Sequence, residues 1–258
     1  MDPAAFGQEG EERTDMKEAM ILRNLTKRYK DVTAVNELTL SIYEGELFAL
    51  LGVNGAGKTT TIKMLSCLTE PTSGDALLKG RSILTDKDKV KSIIAVSPQE
   101  TAVAPNLSVR ENLKLMAGVH GFSQAEIREK TNAVIRRFGL EEIAERRAKK
   151  LSGGWQRRLS IAMALISEPE ILFLDEPTLG LDVLARSELW DMIRELKGKI
   201  TIILTTHYME EAEALSDRIA IMKGGALLCT GTAQEIKEKA GTDKFEEAFI
   251  RVVKGETI

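Results

Sequence analysis

Leu47-Phe48-Ala49-Leu50-Leu51-Gly52-Val53-Asn54-Gly55-Ala56-Gly57-Lys58-Thr59 decides how this chain folds. Five apolar residues in a row have the length of a strand buried on both faces. A glycine-rich turn follows, then Thr59 to Leu68, which is helical in character. Strand, glycine loop and helix in that order make half of a parallel βαβ unit. The loop matches the phosphate-binding pattern, with an additional Gly55. A loop that wraps phosphates must turn backbone N–H groups inward, and glycine permits both the backbone angles and the close approach. Asn54, Gly55, Ala56, Gly57, Lys58, Thr59 and Thr60 are therefore candidate contacts for ATP. The helix directs its positive end at the same anion. Lys58 supplies a point charge to the β- and γ-phosphates, and the Thr59 hydroxyl can ligate Mg2+.

Further continuous apolar runs stand at Ile93 to Val96, Ile171 to Leu174, Ile200 to Leu204 and Ile219 to Met222. Separated by helical segments, they predict an α/β fold with a mainly parallel sheet. Upstream, Leu38, Leu40 and Ile42 alternate with polar residues, which predicts an N-terminal antiparallel β part over Met20 to Ile42. Gly224-Gly225 predicts a hairpin joining the last run to Ala226 to Cys229. Between Pro98 and Pro169 the pattern becomes helical. Ser108 with Glu111 and Ser123 with Glu126 have capping-box spacing. Ile127, Val134, Ile135 and Phe138 share one helical face, and Gly139 is the expected stop. This part reads as a helical subdomain inserted at about 98–168.

The bulk numbers are those of an ordinary globular chain: 258 residues, 43% hydrophobic, 29% charged and a net charge of −3. No basic face of a nucleic-acid binder is evident. No run reaches the ~18 apolar residues of a membrane span, so membrane contact is expected only through a partner. Residues 1–19 read as disordered or vector-derived, residues 20–234 as the main domain, and residues 235–258 as a C-terminal helical tail. Cys67 and Cys229 read as buried core thiols of a reducing compartment.

A second cluster of chemistry closes the run Ile171 to Leu174 with Asp175-Glu176-Pro177. Acids placed there lie at the carboxyl end of a strand, where open α/β sheets bind ligands. Asp175 is the expected Mg2+-side carboxylate, and Glu176 the expected general base toward the attacking water. A third cluster is Leu151-Ser152-Gly153-Gly154-Trp155-Gln156, placed before the apolar helical stretch Leu159 to Ile166. Ser152, Gly153 and Gly154 thus form a second anion-binding helix start.

That third cluster resembles the signature motif of ATP-binding-cassette (ABC) ATPases, with Trp155 standing where the family usually has glutamine. Gln99 resembles the family's Q-loop glutamine, Leu179-Gly180-Leu181-Asp182 its D-loop, and His207 its switch histidine. Tyr29 stands where the family often stacks an aromatic ring on adenine. The resemblance spans nearly all of Met20 to Gly231. It implies a P-loop NTPase core and a head-to-tail pair of cassettes, a homodimer being the simpler arrangement. Each ATP would lie between one phosphate loop and the other subunit's Ser152, Gly153, Gly154 and Asp182. His207 would contact the γ-phosphate and hold Glu176, while Gln99 would serve both metal and catalysis. The working partner would be a separate transmembrane permease subunit, with the cassette peripheral on the cytoplasmic face of the cell membrane.

Three stretches, Gly55 to Leu65, Trp155 to Ala164 and Thr206 to Met222, resemble the ATP-binding subunits of drug-export systems. An importer ATPase is the alternative. An ABC-type ATPase acting on nucleic acid or ribosomes is more remote, because such relatives carry paired cassettes, coiled coils or basic insertions.

Overall fold

The computed structural model describes residues 17–256. Most of the segment expected to be disordered or vector-derived therefore lies outside the described residues. Its boundary at residue 19 needs moving, because strand β1 (Glu18–Tyr29) already starts at Glu18 and Ala19 is buried.

β1 pairs antiparallel with β2 (Val32–Tyr43). On its other edge it pairs with β4 (Ser73–Leu78), which continues into β5 (Arg81–Ser82). The alternation at Leu38, Leu40 and Ile42 buries all three residues. β4 and β5 escape a reading by periodicity, since Ser73-Gly74-Asp75 is not strand-like. The usable signal is the two-residue link Lys79-Gly80, both of positive φ, as a tight hairpin requires.

The second sheet has six strands: β3 (Leu47–Leu51), β6 (Ile94–Ser97), β7 (Ile171–Asp175), β8 (Thr201–Thr206), β9 (Arg218–Lys223) and β10 (Ala226–Gly231). Their spatial order is β10-β9-β3-β8-β7-β6. All neighbours are parallel except β10, which turns back on β9 at Gly224-Gly225. Both faces are covered, which is why the strands read as unbroken apolar runs. Phe48, Leu50, Ile171, Phe173 and Ile203 face the antiparallel sheet and helix α1 (Lys58–Leu65). Leu172, Leu174, Ile202 and Leu204 face the helical subdomain.

After the short helix α2 (Lys87–Lys91), the helical subdomain is built from α3 (Val109–Val119), α4 (Gln124–Arg137) and α5 (Gly153–Leu165). Both capping boxes form: Ser108 Oγ accepts from Glu111 N, and Ser123 Oγ from Glu126 N. Gly139 follows α4 with φ 61° and stops it. Ile127, Val134, Ile135 and Phe138 are buried together.

The rest of the chain is α6 (Val183–Arg194), α7 (Met209–Leu215), α8 (Ala233–Ala240) and α9 (Phe245–Lys254). A tail beginning at residue 235 cuts through α8. Moreover α8 and α9 cover the remaining part of the sheet: Ile236, Phe245, Ala248 and Phe249 pack on Ala49, Leu51, Ile219 and Ile221. These helices form a layer of the core. Cys67 and Cys229 are half-buried and free, less enclosed than expected. Burial still pushes the Cys229 thiol up to about 11.

Candidate nucleotide site

The strand order β3-β8-β7 sets three carboxyl ends side by side. β3 delivers the phosphate loop, β8 delivers His207, and β7 delivers Asp175 with Glu176. A cleft of about 710 Å3 opens above them. It is lined by Asn54 to Thr60, Gln99, Glu176, Leu179 and His207, together with Val32 to Ala34 from the antiparallel sheet and Gly224 from the hairpin.

Two glycines of the loop are required by its course. At Gly57, φ is 100°, and a Cβ would come within 2.4 Å of the Ala34 carbonyl oxygen. At Gly52, a Cβ would meet the Met222 carbonyl oxygen at 2.4 Å. Lys58 reaches back over the loop: its Nζ donates to Gly52 O at 2.6 Å and lies 3.3 Å from Glu176 Oε1. Both side chains of this ion pair are less than a tenth exposed.

Thr59 Oγ1 donates to Asp175 Oδ1 at 3.2 Å, and Thr205 Oγ1 donates to the same oxygen at 2.5 Å. Thr205 also receives the Glu176 N–H on its hydroxyl, at 3.1 Å. Glu176 itself has φ 48°, a left-handed conformation that is strained for a side-chain-bearing residue. Its Oε2 lies 2.6 Å from His207 Nδ1. A carboxylate only accepts, so His207 Nδ1 carries the proton of this bond. Among the described residues no group of three or more His, Cys, Asp or Glu side chains could hold a metal alone. The donors here are instead a hydroxyl, a carboxylate and the Gln99 amide. Such an oxygen set fits Mg2+ that arrives on phosphate and keeps several waters.

The structure does not bring the other predicted contacts into this cleft. Ser152 caps α5, accepting from Trp155 N, and lies with Gly154 in a separate small hollow beside Ala185 and Glu188. Asp182 caps α6, its Oδ1 accepting from Ala185 N at 2.9 Å. Tyr29 is 45% exposed at the end of the β1–β2 hairpin. It does not line the cleft; its cross-strand partner Val32 does. Trp155 packs on the helical core, with the Arg158 guanidinium 4.6 Å from its ring.

Two residues outside the motifs prove important. Thr205 orders both acids. Arg157, buried one turn into α5, donates to the carbonyls of Pro98, at 2.5 Å, and of Gln99. It thereby fastens the Gln99 segment to the helix that starts at Ser152. Burial pulls its guanidinium below the ordinary value, and the carboxyls of Asp175 and Glu211 push it back.

The family model described as ABC transporter matches residues 35–179. The chain belongs to the ABC transporter family. It carries that family's ATP-hydrolysing cassette. Over 231 residues it is 39% identical to the daunorubicin/doxorubicin resistance ATP-binding protein DrrA of Streptomyces peucetius, which covers 89% of this chain and 70% of that one. Over 234 residues it is 40% identical to the phospholipid-transporting ATPase ABCA3 of Rattus norvegicus, of whose length it spans only 14%. Among solved structures, an ATP-binding subunit of an ABC transporter superposes with a TM-score of 0.80 at 30% identity, covering 91% of this chain and 99% of that one. A dimeric ATP-binding cassette in a post-hydrolysis state, bound to ADP and Pi, gives a TM-score of 0.73 at 28% identity, covering 83% and 98%.

Proposed function

We propose that this ABC cassette hydrolyses ATP to drive export through a separate transmembrane subunit. The observation that carries the hydrolytic reading is the buried trio Lys58, Glu176 and His207 at the mouths of adjacent strands. The loop N–H groups and Lys58 bind the phosphates. Glu176, fixed by Thr205 and His207, accepts the proton of the attacking water, a role worth about 10²- to 10⁴-fold. The imidazole of His207 and the amide of Gln99 orient groups at the cleft mouth. Thr59 and Asp175 would hold Mg2+, which neutralises phosphate charge when bound.

The isolated helix start at Ser152 supports a paired assembly. It is built to hold an anion, yet it lies apart from the chain's own cleft, so a second cassette must present the phosphate. The drug-resistance relative supports export, and the phospholipid-transporting relative supports a lipophilic cargo. No helix of the described residues is long and apolar enough to cross a membrane. The permease contact is assigned to the surface from Gln99 to Met116, where Leu115 is half exposed.

The test is co-purification of the Glu176→Gln variant from solubilised native membranes with ATP and Mg2+. Enrichment of a polytopic membrane protein, with ATPase activity lost, is expected. Recovery of nucleic acid or ribosomes in its place would overturn the transport reading.

A further inference from the structure

Gln99 lines the nucleotide cleft from a stretch of chain that the sheet does not hold. β6 is an edge strand, and its pairing with β7 ends at Ser97. Pro98 has no N–H to give, and residues 98–104 form neither helix nor strand. Further along, Ala104 exchanges hydrogen bonds with the Asn112 side chain of α3. Between these two points the chain is gripped from α5. Arg157, 4% exposed, donates from one nitrogen to Pro98 O at 2.5 Å and from the other to Gln99 O. Ser160 lies three residues on, on the same helical face, with its Oγ 3.2 Å from Ser97 Oγ. Both serines are buried. One face of α5 thus meets the last strand residue and the first two residues beyond it.

A guanidinium taken out of water costs free energy, and an apolar side chain of similar volume in its place is often neutral or stabilising. Stability alone therefore does not account for an arginine here. We propose that Arg157 is a positioning residue for hydrolysis: its fork fixes the backbone at Pro98 and Gln99, and with it the aim of the Gln99 amide into the cleft. This rests on the reading of Gln99 given above. Two nitrogens in one rigid plane hold two successive carbonyls in a fixed relation; a lysine offers a single nitrogen on a flexible stem. The fork is itself held, because Leu159, Ile161 and Ala162 anchor α5 in the core.

The experiment compares ATPase kcat and KM, ATP affinity, Tm and amide hydrogen exchange over residues 99–104. It uses the full chain and its variants Arg157→Met, Arg157→Lys, Gln99→Ala and the Met/Ala double variant. Arg157→Met should lose about 10- to 100-fold in kcat with ATP affinity within about 3-fold of the parent. Its Tm should hold, while exchange over residues 99–104 quickens. Arg157→Lys should fall between it and the parent. In the Gln99→Ala background Arg157→Met should cost no further kcat, since the fork then has no amide to aim. A methionine variant with the parent's kcat would overturn the proposal. So would losses that multiply in the double variant, because Arg157 would then act by a route that bypasses Gln99. Should Arg157→Met not fold, Arg157→Lys paired with Gln99→Ala decides by the same comparison. A normal kcat in Gln99→Ala would overturn the reading of Gln99 and the proposal with it. A parent whose ATPase survives Glu176→Gln would defeat the hydrolytic reading itself, and that control tells the two failures apart.

Discussion

Lys58 does two things at once. Its ammonium neutralises Glu176 inside the protein and, in the proposed reaction, would also serve the phosphate. Lys58→Ala should therefore weaken ATP binding by about 10- to 100-fold, the worth of a hydrogen bond to a charged group. It should also destabilise the nucleotide-free protein by about 3 kcal/mol, because a buried carboxylate loses its cation. Isothermal titration and thermal unfolding without nucleotide check the two effects separately; an unchanged Tm would remove the second. The positions of the loop residues, Glu176 and His207 in the cleft were legible in the sequence, and Asp175 stands behind them, bonded to Thr59. Tyr29 was not settled, because a strand-end tyrosine looks alike whether it stacks or stands in solvent. Thr205 and Arg157 were invisible as roles, since each acts through a neighbour brought close only by the fold.

At the level of elements, the C-terminal pair α8–α9 shows where periodicity fell short. The segment lacks a chemical motif, so it was read as an appended tail. Thr232 and Glu235 nonetheless close a capping box, and Gly241 ends α8 with φ 64°. Phe249 then seats against β3 and β9. Phe249→Ala should cost about 3–5 kcal/mol by transfer loss and cavity formation. Chemical denaturation measures this; a loss under about 1 kcal/mol would mean the helix pair is dispensable. The strands fared better, because two covered faces leave a signal that needs no partner to interpret: an apolar run of strand length. β4 and β5 were missed because their pairing is set by β1, across a long gap in sequence.

For the molecule as a whole, Arg157 clamps the Gln99 segment of the cleft to α5, the helix capped by Ser152. The distance of Ser152 from the chain's own cleft has a genetic consequence. If cassettes pair as proposed, a chain crippled at Lys58 and another crippled at Ser152 should each be inactive when paired with themselves. Mixed together, they should form a heteropair with one doubly broken site and one site made wholly of sound parts. Complementation between two dead alleles should then recover measurable ATP turnover, and a mixture as silent as its components would mean that each chain completes its own site.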